Sequence, residues 1–256
     1  MSELRWSAML LAGSRPRSDQ DASLMMGHKT LLQVGGVAMV LRPLKALLDS
    51  PAIDRVTVVT QDIAALQAVL PKESRVTLDR SEATIAATIA DSIGRGDLHY
   101  PALVTTADHA LLDPAMIAEF TTAAAGADLA IGVVEEGNLL ARFPGSKRTW
   151  LGFKGGRYSG ANLFAFGSDH VLGAIEHWRE VEQNRKKGWR VLAALGPALL
   201  LGAVFKLRTI QQSADAVGRK LGMTIRIVVL TDPKAAIDVD KPADHVLVEA
   251  ILRGEA

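Results

Sequence analysis

Apolar strands and helices alternate along the first two-thirds of the chain, and this alternation constrains the fold more than any other feature of the sequence. The predicted strands are Trp6–Leu11, Arg55–Thr60, Val76–Leu78, Ala102–Thr106 and Leu129–Val134. The predicted helices between them are Met39–Leu48, Ile63–Val69, Thr84–Ile93 and Pro114–Ala123. Strands separated by helices of this length pair in parallel through right-handed crossovers. The pattern therefore predicts a three-layer α/β fold with a mostly parallel, doubly wound sheet, which binds ligands at the carboxyl ends of its strands.

The alternation breaks after Val134, where residues 137–160 are polar, basic and rich in glycine. Further strands are predicted at Asn162–Phe166 and Thr224–Val229, and further helices at Asp169–Glu182, Ile210–Leu221 and Pro242–Leu252. The last strand and helix return to the α/β pattern of the first part. We therefore predict one core built from residues 1–136 and 222–256, interrupted by a mixed α+β insertion at 137–221.

The composition excludes several kinds of site. The chain has no cysteine, so it has no disulfide, no thiolate metal site and no cysteine nucleophile. Its net charge of +1 gives no reason to expect a nucleic-acid partner. The short apolar run after Met1 lacks a small-residue cleavage motif, and the absence of cysteine agrees with a reducing compartment. We therefore expect a cytoplasmic protein.

One charge-free run of fifteen residues, Val191–Phe205, has two interpretations. It is shorter than a membrane span, and Gly196-Pro197 would interrupt a helix there. In the first interpretation it forms two short helices buried against the insertion or a second subunit. In the second it is an apolar surface that contacts a membrane or covers a lipid-like acceptor, with the basic residues on both flanks facing anionic headgroups.

Two segments near the start of the chain are candidates for phosphate binding. The small residues of Leu11-Ala12-Gly13-Ser14-Arg15 follow the first strand, so their backbone N–H groups can approach a phosphate closely, and Arg15 adds a permanent positive charge. Lys29 precedes the apolar pair Leu31-Leu32 and can neutralise charge on a triphosphate. The alternatives are a tight turn for the first segment and a solvated loop residue for Lys29.

Two aspartates follow predicted strands and are candidates for binding Mg²⁺, which prefers one or two carboxylates together with phosphate oxygens. Asp108 lies just after the fourth strand, too far from the next helix to cap it, whereas Asp113 has the position of the cap. Asp240 lies before the last helix, where it can also be a turn residue. In an extended segment Asp238 and Asp240 face the same side, so either is a candidate ligand.

Taken together and in this order, these segments resemble the MobA-like NTP transferase family, whose members share a GT-A-like nucleotidyltransferase fold, the fold of the nucleotide-diphospho-sugar transferases. The matching motifs are Leu11-Ala12-Gly13-x-Arg15, His28-Lys29-x-Leu31-Leu32-x-Val34-x-Gly36, Ala107-Asp108-x-x-Leu111-Leu112, Tyr158-Ser159-Gly160-Ala161-Asn162-Leu163-Phe164 and Ile237-Asp238-Val239-Asp240-Lys241-Pro242-x-Asp244. The chain departs from the family pattern at Ser14, where a second glycine is usual, and in a longer loop between Arg15 and Lys29.

The resemblance implies a role for each matched position. Arg15 and Lys29 would be the catalytic cations, and the nucleotide-binding residues would be Leu11, Ala12, Gly13, Ser14, Arg15, Lys29, Ser81, Thr84 and Asp108. Asp108 and Asp240 would hold Mg²⁺. Ser81 and Thr84 would lie near the base or ribose. Lys154 and Asn162, in the insertion, would face the acceptor.

The activity implied is transfer of a nucleoside monophosphate from an NTP to a phosphorylated sugar, polyol or cofactor, with release of pyrophosphate. One alternative is a GT-A glycosyltransferase that uses a sugar nucleotide. Such enzymes usually carry an Asp-x-Asp pair after the fourth strand, where this chain has Asp108-His109-Ala110. Another alternative is a nucleotide-binding module without turnover. The base of the NTP and the acceptor stay open.

Overall fold

The structure is a computed structural model that describes residues 5–13, 29–81, 84–176 and 207–256. The strands are β1 (Trp6–Leu11), β2 (Gln33–Val34), β3 (Val37–Ala38), β4 (Ile53–Thr60), β5 (Val76–Arg80), β6 (Ala102–Thr106), β7 (Leu129–Glu135), β8 (Leu151–Phe153), β9 (Gly156–Phe166) and β10 (Ile225–Val229). The α-helices are α1 (Leu41–Asp49), α2 (Ile63–Gln67), α3 (Ile85–Gly94), α4 (Pro114–Ala124), α5 (Glu136–Arg142), α6 (Ile210–Leu221) and α7 (Pro242–Leu252).

The central sheet has the strand order β10-β7-β9-β6-β1-β4-β5, and β8 pairs only with β9. The pairs that β1 forms with β4 and β6 are parallel, as are the β4–β5 and β7–β10 pairs. Among the described strands, β9 runs antiparallel to its neighbours β6, β7 and β8. The prediction of a mostly parallel α/β sheet is therefore confirmed.

Side chains from both faces of the sheet are buried, which gives the fold its three layers. In β1, Ala8 and Leu10 belong to one apolar cluster, and Met9 belongs to a second cluster on the opposite face. Successive side chains of a strand point to opposite faces, so one strand supplies both clusters. This explains why β1 is buried along almost its whole length and has only one polar residue, Ser7, instead of alternating apolar and polar residues.

The predicted insertion contributes to the same sheet. β9 lies between β6 and β7, and the β8–β9 hairpin extends from the carboxyl edge of the sheet. Residues predicted as a polar loop form α5, whose Leu139 is fully buried. The division into a core and an insertion stays a prediction. The two described strands of 137–221, β8 and β9, belong to the same sheet as the strands of the core.

A two-residue hairpin and the last helix fix the segment that begins at Lys29. Gly35 and Gly36, between β2 and β3, have φ values of 57° and 78°, as a type I′ turn requires. The N–H of Gly35 donates to Glu249 of α7 over 2.6 Å. Behind the hairpin, the N–H of Val40 donates to the carbonyl of Thr30 over 3.0 Å. The first bond ties the hairpin to α7, and the second joins the two ends of the segment 30–40.

Asp128 joins three segments at the amino edge of the sheet. Its carboxylate accepts from the hydroxyl of Ser168, after β9, and from the N–H and hydroxyl of Thr224, before β10, both at 2.7 Å. These hydrogen bonds, that of Ser168 first, lower the pKa of Asp128 to about 2. Asp128 therefore stabilises the fold in its charged form.

We expect Asp128→Asn to lower the free energy of unfolding by about 1–3 kcal/mol, because hydrogen bonds to a charged acceptor are lost. A depressed pKa gives stability that is present above the unfolded value near 3.8 and is lost as the pH falls towards about 2. In thermal unfolding, the difference between wild type and variant should therefore shrink over that pH range. A difference that stayed constant with pH would contradict this assignment. Asp49→Asn, at an exposed ion pair with Lys45, should have little effect on stability.

No helix in the described ranges is long and apolar enough to cross a membrane. The predicted apolar segment 191–205 lies outside the described residues, and both of its interpretations stay predictions.

Candidate active site

Three loops meet at the carboxyl edge of the sheet, beyond β1 and β6. The N–H of Ala107 donates to the carbonyl of Leu11 over 2.9 Å, which keeps the ends of these two strands together. The N–H of Val239 donates to the carbonyl of Asp108 over 2.9 Å, which places the segment before α7 beside the loop after β6. Residues far apart in the sequence therefore face one another at this edge.

Lys29 bridges two aspartates at the centre of this edge. Its Nζ donates to Asp108 Oδ2 over 2.6 Å and to Asp240 Oδ1 over 2.8 Å. The two carboxylate oxygens therefore lie at most 5.4 Å apart, the total of these two distances. The side chains of Lys29 and Asp108 are each only 20% exposed. We call Lys29, Asp108 and Asp240 the central cluster.

Lys29 keeps its positive charge in this environment. Burial by itself lowers the pKa of Lys29, but the charge of Asp108 and the hydrogen bonds to both carboxylates outweigh it and leave the pKa above its usual value. The ammonium group is therefore charged throughout the physiological pH range, and we expect no activity change near neutral pH from its titration.

The last residue of β6 orients Asp108. The hydroxyl of Thr106 donates to Asp108 Oδ1 over 2.5 Å, which leaves Oδ2 facing Lys29. The adjacent His109 is buried, and burial lowers its pKa to about 4 despite the nearby charges of Asp108 and Asp113. Neither ring nitrogen has a hydrogen-bond partner in the part of the chain that the structure describes. His109 is therefore neutral near pH 7 and adds no charge to the site.

A second group of polar side chains lies beside the central cluster. Arg148, before β8, forms an ion pair with Asp238 and a 3.2 Å contact with Asp244. Asn162 Nδ2 donates to Asp238 Oδ2 over 3.3 Å. Asn162 has a φ of 50° at an irregularity in the pairing of β9 with β7, and such bulges redirect side chains near functional sites. We call Arg148, Asp238, Asp244 and Asn162 the flanking group.

The phosphate-binding turn predicted after β1 is described only up to Gly13. Leu11 ends β1, Ala12 is buried, and a side chain on Gly13 would meet the amide of Gln61 at 2.9 Å. Gly13 is therefore packed closely against the residue that follows β4. Ser14 and Arg15 lie outside the described residues, and their roles stay predictions.

Ser81 and Thr84 lie at the carboxyl end of β5, on either side of the undescribed residues 82 and 83. The hydroxyl of Thr84 accepts from the N–H of Ala87 over 3.1 Å and caps α3. Ser81 Oγ is buried without a hydrogen-bond partner among the residues that the structure describes. The structure thus gives Thr84 a capping function, and a contact of either hydroxyl with a nucleotide stays a prediction.

Lys154 and Asn162 are separated along β9. Asn162 contacts Asp238 in the flanking group, whereas the exposed Lys154 lies before β9, in the turn that joins it to β8. The six steps along the strand from Gly156 to Asn162 correspond to roughly 20 Å. An acceptor that touched both side chains would have to extend along the hairpin.

The central cluster suits a hard divalent cation. Two carboxylates from separate loops converge within the reach of one ion, and Mg²⁺ commonly takes one or two carboxylates with the remaining positions left to phosphates and water. Within the described ranges, no group of three or more histidine or acidic side chains is arranged to hold a metal ion. A site completed by substrate phosphates fits this donor set.

Sequence reasoning missed Thr106 as the partner of Asp108, and it missed the ion pairs of Arg148. Arg148 and Asp238 are 90 positions apart, and no motif links them. Asp238 was an alternative metal ligand by sequence, but it pairs with Arg148 and Asn162 whereas Asp240 pairs with Lys29. Thr106 and Asp108 are only two positions apart, but no motif in the sequence pairs their side chains.

The sequence matches the family model described as the MobA-like NTP transferase domain over residues 8–199. No curated protein sequence matches the chain.

Several solved structures resemble the fold. A hypothetical transferase from Thermus thermophilus is 23% identical, with a TM-score of 0.80 over 94% of this chain and 99% of its own. The 4-diphosphocytidyl-2C-methyl-D-erythritol synthase of Anaerococcus prevotii is 14% identical, with a TM-score of 0.61 over 97% and 96% of the two chains. A CMP:2-keto-3-deoxy-manno-octonic acid synthetase, solved with CTP, is 14% identical, with a TM-score of 0.61 over 98% and 100%. At these identities the likeness establishes the fold.

Proposed function

Because the chain belongs to the MobA-like NTP transferase family, we propose that it moves a nucleoside monophosphate from an NTP to a phosphorylated small molecule and releases pyrophosphate. The observation that carries this proposal is the central cluster. Lys29 and Asp240 are 211 positions apart, yet they meet Asp108 at the carboxyl edge of the sheet, where α/β folds bind their ligands. This arrangement combines a fixed cation with a pair of carboxylates that can hold a metal ion.

In the proposed reaction, an oxygen of the acceptor phosphate attacks the α-phosphorus of the NTP. The bond from that phosphorus to the bridging oxygen of the β-phosphate breaks, and pyrophosphate leaves with the electron pair. The attacking phosphate is already an anion, so the chain needs no general base. This agrees with a site in which Lys29 stays protonated and His109 is neutral.

Each group of the site has a distinct task in this proposal. The positive charge of Lys29 contacts the triphosphate. Together, Lys29 and Arg15 stabilise the negative charge that develops on the leaving pyrophosphate. Asp108 and Asp240 would hold Mg²⁺, which supplies Lewis-acid stabilisation of the phosphate oxygens when bound. Thr106 keeps one oxygen of Asp108 in place. Asn162 and, farther along the hairpin, Lys154 are the proposed contacts of the acceptor, a sugar, polyol or cofactor phosphate.

A pyrophosphate-release assay tests the activity. We expect release only when an NTP, a divalent cation and an acceptor are all present, with each of the four NTPs tried against pooled sugar and polyol phosphates. CTP is the first NTP to try, because the synthetase that resembles this fold was solved with it. NTP binding without turnover under all conditions would instead indicate a nucleotide-binding module. Sugar transfer from a sugar nucleotide, without pyrophosphate, would indicate a glycosyltransferase.

A further inference from the structure

Arg148 is nearly buried, although it is basic and lies outside the motifs of the family. Its side chain is 9% exposed, and burying an arginine is costly unless its charge is paired. Asp238 and Asp244 supply this pairing. In addition, Arg148 Nη2 donates to the backbone carbonyl of Asp238 over 3.4 Å. Both carboxylates belong to the same seven-residue segment, 238–244.

Asp240 lies between these two anchors. The N–H of Asp240 and the N–H of Lys241 both donate to Asp244 Oδ2, over 3.2 and 2.9 Å. The other oxygen of Asp244 faces Arg148. A chain of contacts therefore runs from the guanidinium through Asp244 to the backbone that carries the Asp240 carboxylate.

The negative charges of neighbouring carboxylates destabilise the conformation of the segment 238–244. Asp238 and Asp240 are only two positions apart, and the N–H of Val239 between them donates to the carbonyl of Asp108. Several carboxylates at one edge repel each other. A planar guanidinium, which can contact two acceptors at once, suits a position that must hold two of them together.

We propose that Arg148 is a positioning residue: it holds the segment on both sides of Asp240 and thereby fixes the direction of that carboxylate towards the metal position. This inference rests on the proposed function, because it takes Asp240 as a metal ligand. It gives the basic residue before β8 a task distinct from acceptor binding. Partners that orient metal ligands typically contribute about 10–100-fold to metal affinity.

The test compares Mn²⁺ binding to the wild type and to Arg148→Lys, measured by electron paramagnetic resonance with the metal alone. The lysine keeps the charge but cannot hold both acceptors, so we expect about 10-fold weaker binding. Backbone amides of Asp240 and Lys241 should also exchange faster with solvent, since their acceptor loses its anchor. Arg95→Lys is the matched control: Arg95 pairs with three aspartates at the end of α3, and its variant should bind Mn²⁺ like the wild type.

Arg148→Met separates positioning from charge. Removing a positive charge near a cation site should tighten Mn²⁺ binding if charge alone matters, whereas loss of positioning weakens it. Unchanged binding in Arg148→Lys, or tighter binding in Arg148→Met, would overturn the inference and leave the proposed function intact. If the wild type itself does not bind Mn²⁺ alone, the inference is overturned, and the pyrophosphate-release assay tests the proposed function separately.

Folding is checked by thermal unfolding without metal. If the Arg148 variants do not fold, Asp244→Asn gives the answer, because its amide oxygen can still accept from the N–H of Lys241 but has no charge for Arg148. Weaker Mn²⁺ binding together with faster exchange of the Asp240 and Lys241 amides in Asp244→Asn then supports the inference, and unchanged amide exchange overturns it.

Discussion

Asp108→Asn is expected to reduce kcat/KM for pyrophosphate release by about 10³-fold, the largest loss we expect from a single substitution. A bound metal ion contributes several kcal/mol to such a reaction, and about 1.4 kcal/mol corresponds to a factor of ten. The amide is nearly isosteric with the carboxylate and can still accept from Thr106, but it carries no charge for a cation. The measurement is steady-state kinetics at saturating Mg²⁺.

The fold should survive this substitution, because Lys29 keeps its contact with Asp240. Asp113→Asn is the matched control. Asp113 lies in the same loop but caps α4 by accepting from the N–H of Met116 over 2.9 Å, and asparagine caps a helix about as well. We expect the control to retain wild-type turnover and stability. If both variants lost activity equally, Asp108 would have no special role.

Lys29→Met is expected to reduce kcat by about 10²–10³-fold, a loss typical for removal of one preorganised charge that stabilises a transition state. The KM for the NTP should rise as well, because Lys29 is proposed to contact the triphosphate before the reaction. Methionine keeps the unbranched apolar stem and removes only the ammonium group. The kinetic comparison uses the same pyrophosphate assay.

The two substitutions should have opposite effects on the metal. Asp108→Asn removes a proposed ligand and should weaken Mn²⁺ binding, whereas Lys29→Met removes a cation that pairs with the same carboxylates and should not weaken it. Lys45→Met, at an exposed ion pair on α1, is the control for loss of a lysine. Wild-type kcat in Lys29→Met would place Lys29 outside the catalytic groups.

Much of the fold could be predicted because its strands are buried on both faces. β1 and β6 have the bounds predicted from their apolar runs, and the bounds of α6 and α7 also agree. The length of β9 was underestimated: its first half contains glycine and polar residues, and it is a strand because it pairs with β7 and β8. That pairing is long-range, so local patterns in the sequence could not indicate it.

The site shows the same division between local and long-range information. The sequence singled out Lys29, Asp108 and Asp240 because each follows or precedes a regular element in a recognisable motif, and the structure brings these three together. Their roles with metal and phosphate stay predictions. Arg148 could not be singled out, because its importance depends on a fold that brings it to Asp238 and Asp244.

The order in which the central cluster is assembled has a consequence for protein synthesis. Lys29 and Asp240 are 211 positions apart, and ribosomes add about 5–20 residues per second, so roughly 10–40 s separate their translation. Until the segment at Val239 has been made, the carbonyl of Asp108 lacks its backbone partner and Lys29 can pair only with Asp108. A nascent chain released before Asp240 therefore contains Lys29 and Asp108 without the second carboxylate, so premature termination gives a fragment with an incomplete cluster.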